Sequence, residues 1–531
     1  MNPEAVLRWI LLLSWTIATS AGAAEAPPRN PFLAESSYPI GHASSAQQTS
    51  QPVPVLRDTA RTLDPSEIDY THLGPFHLGA HISPPYEGGR RVLWSNGVDR
   101  VAKVDHDRFE VLATYPLPGR EPFGRDASAA YVERFNGLGP GYWGIFQTLR
   151  HARSTYSDIS GIYTLVDRDG EYYVCGKREI TVYGDSEPGN PDSPIEVRRR
   201  FAWPPEVTGV SVGMNMTFDG RIVVATEDGY LLSLTRDFAS QEVTRLQFAE
   251  EATGAEDTGQ GWIRNGIAVD ADGGIYVVSR DHMHKVIWTG TQLSQEETAG
   301  AWTTPVRNSG GGGSGSTPSL MGFGGEDRFV VITDGDTVMN LTLFWRDEIP
   351  KGWEAPPGAS SVRVAGFEPV TMGRDDVVAS QTEQSVVVGG YGALTVNNEP
   401  RNLPWGAGRF VVPISGFLGH LPEYQPFGVQ KFAWQPGTRT LEVAWVNREV
   451  SSPNAVPILS LDSNLVFSVG VRDGSWTVEA LDWNSGDSAY HLVVGDQLYN
   501  SAYAAIQIDE AGRLLWGTVW GRARVTPRAA D

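Results

Sequence analysis

A chain of 531 residues exceeds what one compact core usually holds, so it is either several domains or one fold built by repetition. Its 59 glycines, 35 prolines and 17 Trp, 18 Tyr and 19 Phe suit many short strands joined by tight turns and fit helical bundles badly; 40% hydrophobic residues exclude a largely disordered chain. With 63 acidic against 42 basic side chains the formal charge is -21, which repels phosphate backbones and excludes nucleic acid as the expected partner.

Residues 1–23 combine Arg8, an apolar stretch from Trp9 to Ile17 and the small residues Ala21, Gly22 and Ala23, the pattern of a cleaved secretory signal. The apolar run is shorter than the roughly 20 residues of a membrane span, and no later segment is long enough. A periplasmic or secreted, bacterial address follows. The single cysteine, Cys175, excludes an intramolecular disulfide and a cysteine metal cluster, and reads as a small buried hydrophobe.

Residues 24–75 form an N-terminal extension that can lend a closing strand to the last unit of the main domain, 76–531. His72, His77 and His81 straddle this boundary as a secondary candidate site; their spacings of five and four do not match one face of a strand, and the Gly and Pro among them argue against a helix. From there a polar turn followed by an apolar, β-rich run recurs: a partial copy at 90–115, then VDRDGEYYVCG (166–176), MTFDGRIVVAT (216–226), VDADGGIYVVS (269–279) and GGEDRFVVIT (324–333). The turn residues Asp169, Asp219, Asp272 and Glu326 fall about fifty apart, and weaker copies follow at 385–398, 435–447 and 509–525. That period is one of a four-stranded blade, so the fold is all-β, a single β-propeller of seven or eight blades, the degenerate copies favouring eight. The run NSGGGGSGSTPS (308–319) reads as a connector.

In a propeller, the start of each innermost strand and the loop between the second and third strands open on one face around the axis. Asn215, Asn265, Thr317, Glu383, Gln430 and Asn500 are polar residues at or beside such strands and are expected to converge on an axial pocket. Within it, Asn215, Asn265 and Glu383 would hold a divalent cation, calcium before others, through oxygen ligands. The segment SRDHMHK (279–285) would add His282 and His284, two apart on one side of a strand, as proton carriers beside Glu383, with Asp281 nearby. Asp334 and Asp336 offer a second calcium position or an ordinary turn. GVSVG (209–213) runs into a strand rather than a helix, so no serine elbow forms.

The phrase NGIAVDADGGIYVVS (265–279) resembles blades of the gluconolactonase, regucalcin and strictosidine-synthase-like propellers, whereas ALDWNSGDSAYHLVVG (480–495) and SYPIGHASSAQQTS (37–50) resemble quinoprotein-type propellers that carry pyrroloquinoline quinone. The first resemblance implies a divalent cation held by Glu, Asn and Asp. The second implies a quinone framed by paired cysteines, and with one cysteine here no quinone is expected. The leading expectation is an exported enzyme acting on a small-molecule substrate by cation-assisted hydrolysis or related acid/base chemistry. A quinone-dependent oxidoreductase and a non-catalytic binding or scaffold propeller are the alternatives.

Overall fold

The computed structural model describes residues 25–155, 162–251 and 261–529, so the signal segment 1–23 lies outside the described residues. Among the described residues eight sheets follow one another, each built on four antiparallel strands; the fourth has one strand more and the seventh gains two short parallel strands from the N-terminal extension. Blades 1 to 7 span 79–116, 164–202, 211–245, 268–305, 319–369, 387–447 and 458–495. Blade 8 takes three strands from 506–525 and its outermost from Ile68–His72, which pairs antiparallel with Gly521–Val525. The first strands of neighbouring blades lie side by side, and Gln507 of blade 8 donates to the Ala80 carbonyl of blade 1 at 2.7 Å, which completes the circle.

The repeated turn explains why the blades start alike. Asp167, Asp270 and Asp509 each accept, through Oδ1, the amides two and four residues later, while Gly170, Gly273 and Gly512 take the left-handed conformation that closes the loop. The apolar strands that follow bury their side chains between blades rather than in one central core. One wedge, with Leu232, Met214 and Tyr173, separates blades 2 and 3; another, with Phe329, Trp345 and Trp434, separates blades 5 and 6.

Two features break the regular pattern. Between blades 1 and 2 stand helices α1 (Arg125–Asn136) and α2 (Tyr142–Thr155), and between the second and third strands of blade 6 stands α3 (Val411–Leu418). Phe135, Ile145, Phe417, Leu418 and Trp520 join these helices into one cap on the face where the second-to-third strand loops emerge.

The second feature is the course of residues 30–55. Instead of lying outside the ring, they run along the inner strands. The amides of Ile82, Val166, Val269, Leu320, Val388 and Leu459 donate in turn to the carbonyls of Tyr38, Pro39, Ser45, Ala46, Gln48 and Thr49, at 2.8 to 3.0 Å. These donors come from blades 1, 2, 4, 5, 6 and 7, so the segment meets most of the ring's inner strands. Blade 8 holds it through Ser37, whose hydroxyl donates to the Ile508 carbonyl at 3.0 Å, and blade 3 through Asn215, which donates to the Ser45 carbonyl at 3.0 Å. Ser50–Gln51 then pairs parallel with Ile458–Ser460, and the chain leaves to form the closing strand.

Candidate functional site: the mouth of the axial channel

Of the polar residues expected to line a pocket, Asn215 lies within a first strand and Asn265, Thr317, Glu383 and Asn500 lie just before one, while Gln430 does not. Their side chains face neighbouring blades. Asn265 donates to the Ser314 carbonyl at 2.7 Å, and Thr317 Oγ1 accepts the Gly266 amide at 3.1 Å, which ties blade 4 to blade 5. The Ser385 hydroxyl accepts the Thr317 amide and contacts His42 of the axial segment at 3.2 Å. Asn398 accepts from the Glu383 amide and donates to the Pro453 carbonyl. Asn500 donates to the Gly416 carbonyl of the cap at 2.8 Å and accepts from Asn454. The result is a run of amides and hydroxyls that latches blades 4 to 8 to one another.

The physical reason is an accounting of backbone groups. Where one blade begins against another, carbonyls leave both ladders and are shielded from water, and an unpaired buried carbonyl costs about 1–3 kcal/mol. Small amide and hydroxyl side chains satisfy them where aliphatic ones cannot. Sequence reasoning took polarity here as a sign of ligand binding, but it serves closure. Ser415 and Asn454, equally engaged, escaped it because they sit outside the recognisable repeats, and Asn398 because it ends its copy, at 385–398, rather than preceding an inner strand.

The expected cation ligands do not form a coordination set. Asn215 donates to the carbonyls of Ser45 and Ile267, at 3.0 and 2.7 Å, and its Oδ1 accepts its neighbour's amide, so both ends of the amide are committed. Asn265 is turned toward Ser314. Both oxygens of Glu383 accept from Arg264 Nη2, at 2.9 and 3.1 Å. Among the described residues no group of three His, Cys, Asp or Glu side chains is placed to hold a metal. Asp334 accepts from Asn340, and Asp336 pairs with Arg307 at 2.7 Å, as in an ordinary structural turn. Burial pushes the Asp334 carboxyl up to about 6.

The two histidines expected to carry protons do come together, with ring centroids 6.0 Å apart, but each is engaged by its surroundings. His284 is fully buried, with Nε2 3.0 Å from the Ser279 hydroxyl and Nδ1 3.2 Å from that of Thr303, and burial pushes it down to about 3. It is neutral and held at any ordinary pH. His282 stacks on Phe248 with centroids 4.3 Å apart and planes 6° from parallel. Asp281 is taken by Arg280 and Asn308. Gln430 stands in the third strand of blade 6, not a first strand, and binds the Met372 amide at 2.8 Å. His72, His77 and His81 each meet a hydroxyl, of Ser128, Ser95 and Thr164 respectively.

The fold defines a quinoprotein-like, eight-bladed propeller whose axis is filled by its own chain. Among solved structures it is similar to the quinohemoprotein alcohol dehydrogenase of Comamonas testosteroni, with a TM-score of 0.50, 10% identity and coverage of 95% of this chain and 82% of that one. The quinohemoprotein alcohol dehydrogenase ADHIIG of Pseudomonas putida HK5 gives a TM-score of 0.49 at 11% identity, over 92% of this chain and 76% of that one. No protein-family model matches the chain. By sequence it belongs to the family of an uncharacterized protein of Archaeoglobus fulgidus, 33% identical over 516 residues that cover 94% of this chain and 89% of the relative.

The residues present do not fit the quinone that the similar dehydrogenase fold implies. Cys175 is buried in the second strand of blade 2, its sulfur 3.6 Å from that of Met214, and burial pushes the thiol up to about 12. The axial space such a flat ring would enter holds residues 38–51.

Proposed function

We propose that this chain is an exported, non-catalytic propeller, a binding scaffold whose working surface is the capped face. The observation that carries this reading is the filled axis: Tyr38 to Gln51 bond to the inner strands, and Asn215, Asn265 and Asn500 are committed to neighbouring backbone. A reaction on a small molecule needs an open space with a free nucleophile or base beside it. The axial enzyme expected from sequence has its carboxylate in an ion pair and a histidine that burial holds neutral. Among the described residues no helix is long and apolar enough to cross a membrane, and export rests on the signal pattern at 1–23.

The test is a panel of ester, lactone and alcohol substrates, with and without chelator, run on the purified protein and on Glu383→Gln and His282→Ala. All three proteins are expected to give background turnover and the same melting temperature. Turnover that either substitution abolishes while the fold survives would overturn the reading.

A further inference from the structure

The cap carries a surface unlike the rest of this acidic chain. Along α2, Trp143, Phe146, Arg150 and Arg153 are spaced three, four and three apart and share one exposed stripe. The opposite side is buried: Ile145, Thr148 and His151 pack down, and Phe417 and Leu418 of α3 complete the layer beneath. The stripe is therefore a surplus apolar face on a helix already seated in its fold.

The aromatic end is large. Trp143 is 68% exposed and Phe146 55%, their rings stacked at 5.8 Å, and Tyr142 beside them is 64% exposed. The Tyr142 hydroxyl donates to the carbonyl of Trp405 at 3.1 Å, which holds a fourth ring, 93% exposed, at the same edge. Rings clustered this way in water mark an interaction site.

The charge is equally distinctive. The formal charge of the whole chain is -21, yet residues 117–155 hold five arginines against three carboxylates, and 400–410 hold two arginines and no carboxylate. Among the described residues Arg125, Arg134, Arg150, Arg153 and Arg409 pair with no carboxylate, although ion pairs are common over the blades. Arg134 and Arg409 lie over Tyr131 and Phe410 instead. Unpaired guanidinium groups beside exposed Trp and Tyr match an anionic bilayer surface, where the rings sit at headgroup level and the cations meet lipid phosphate and carboxylate.

We propose that the stripe of α2, with Tyr142 and Trp405, docks the propeller on an anionic phospholipid surface. The partner named here rests on the scaffold reading, yet lipid binding and turnover are separate measurements and can fail separately. The rings enter the headgroup layer, Arg150 and Arg153 hold the lipid anions, and the blades stand off in water.

Sedimentation of the full-length mature protein with vesicles of phosphatidylcholine containing about one quarter phosphatidylglycerol, and with phosphatidylcholine alone, tests this. Binding to the anionic vesicles is expected, with a blue shift of tryptophan emission, and should weaken at high salt. Trp143→Ala with Phe146→Ala should weaken it at least tenfold. Arg150→Gln with Arg153→Gln should remove the preference for the anionic lipid while the melting temperature stays unchanged. Equal sedimentation of wild type and both variants, or none with either vesicle, would overturn the proposal, as would a salt-insensitive preference for neutral lipid.

Discussion

Tyr38→Ala is expected to destabilise the whole propeller by about 3–5 kcal/mol, the range for removing a buried aromatic ring from a core. Tyr38 belongs to the N-terminal extension, and in a loosely attached tail such a change would cost less than about 0.5 kcal/mol. Here the ring is 1% exposed and stacks on His81 with centroids 5.9 Å apart. Its hydroxyl accepts the His42 amide at 3.1 Å, and its carbonyl accepts the Ile82 amide at 3.0 Å. The cavity would open at the axis, where blades 1, 2 and 8 meet the segment, so the loss should appear in the global unfolding transition rather than as local fraying. Denaturant melts of the two proteins measure it, and a difference below about 1 kcal/mol would contradict the arrangement.

Acid is expected to unfold the protein well above the usual carboxylate range. His42, His151 and His420 are pushed down to about 4 by burial, and His81 and His284 to about 3. Each is lowered in the folded state, so as pH falls through about 6.5 the unfolded chain takes up the protons first. The stability that depends on neutral histidine is therefore complete above that pH and lost on the way down toward 4. At pH 5 each site costs about 2 kcal/mol, and the five together cost on the order of 10 kcal/mol. That is comparable to the entire stability of a typical domain, about 5–15 kcal/mol. Melting temperature followed from pH 7.5 to 5 should fall steeply; a flat profile would mean that these rings reach solvent.

The blades were legible because their turn chemistry repeats. The Asp-Gly turns of blades 2, 3 and 4 announce a strand on either side, and the fifty-residue period turns those strands into a ring. The reading slips at blade 6, where α3 and its flanks separate the second and third strands, so that 435–447, read as a separate copy, is the outer half of blade 6. Blade 7, at 458–495, was visible only through its quinoprotein-like outer strands. The two displacements cancel, and the expected number of eight holds.

The role of the site residues was not legible. Asn215 bonds to the axial segment, and Asn265, Thr317 and Asn500 bond to neighbouring backbone, but a side-chain amide looks the same in a sequence whether it faces a ligand or a neighbouring carbonyl. The axial segment is harder still to foresee. SYPIGHASSAQQTS has no alternation of apolar and polar residues, and His42, Ala43, Gln47 and Thr49 adopt the left-handed conformation, at φ between 53° and 71°. That conformation costs non-glycine residues roughly 1–2 kcal/mol apiece and persists only because the ring fixes it. Local propensity cannot predict a path that only tertiary contacts make stable.

Amide hydrogen exchange of the native full-length protein would judge the plugged ring most sharply. Peptides covering 38–51 should exchange as slowly as the central strands of blades 5 and 7, since both would open only with the propeller itself. Exchange of that stretch within seconds, while the strands remain protected, would put it in solvent, reopen the hollow and restore the case for axial chemistry.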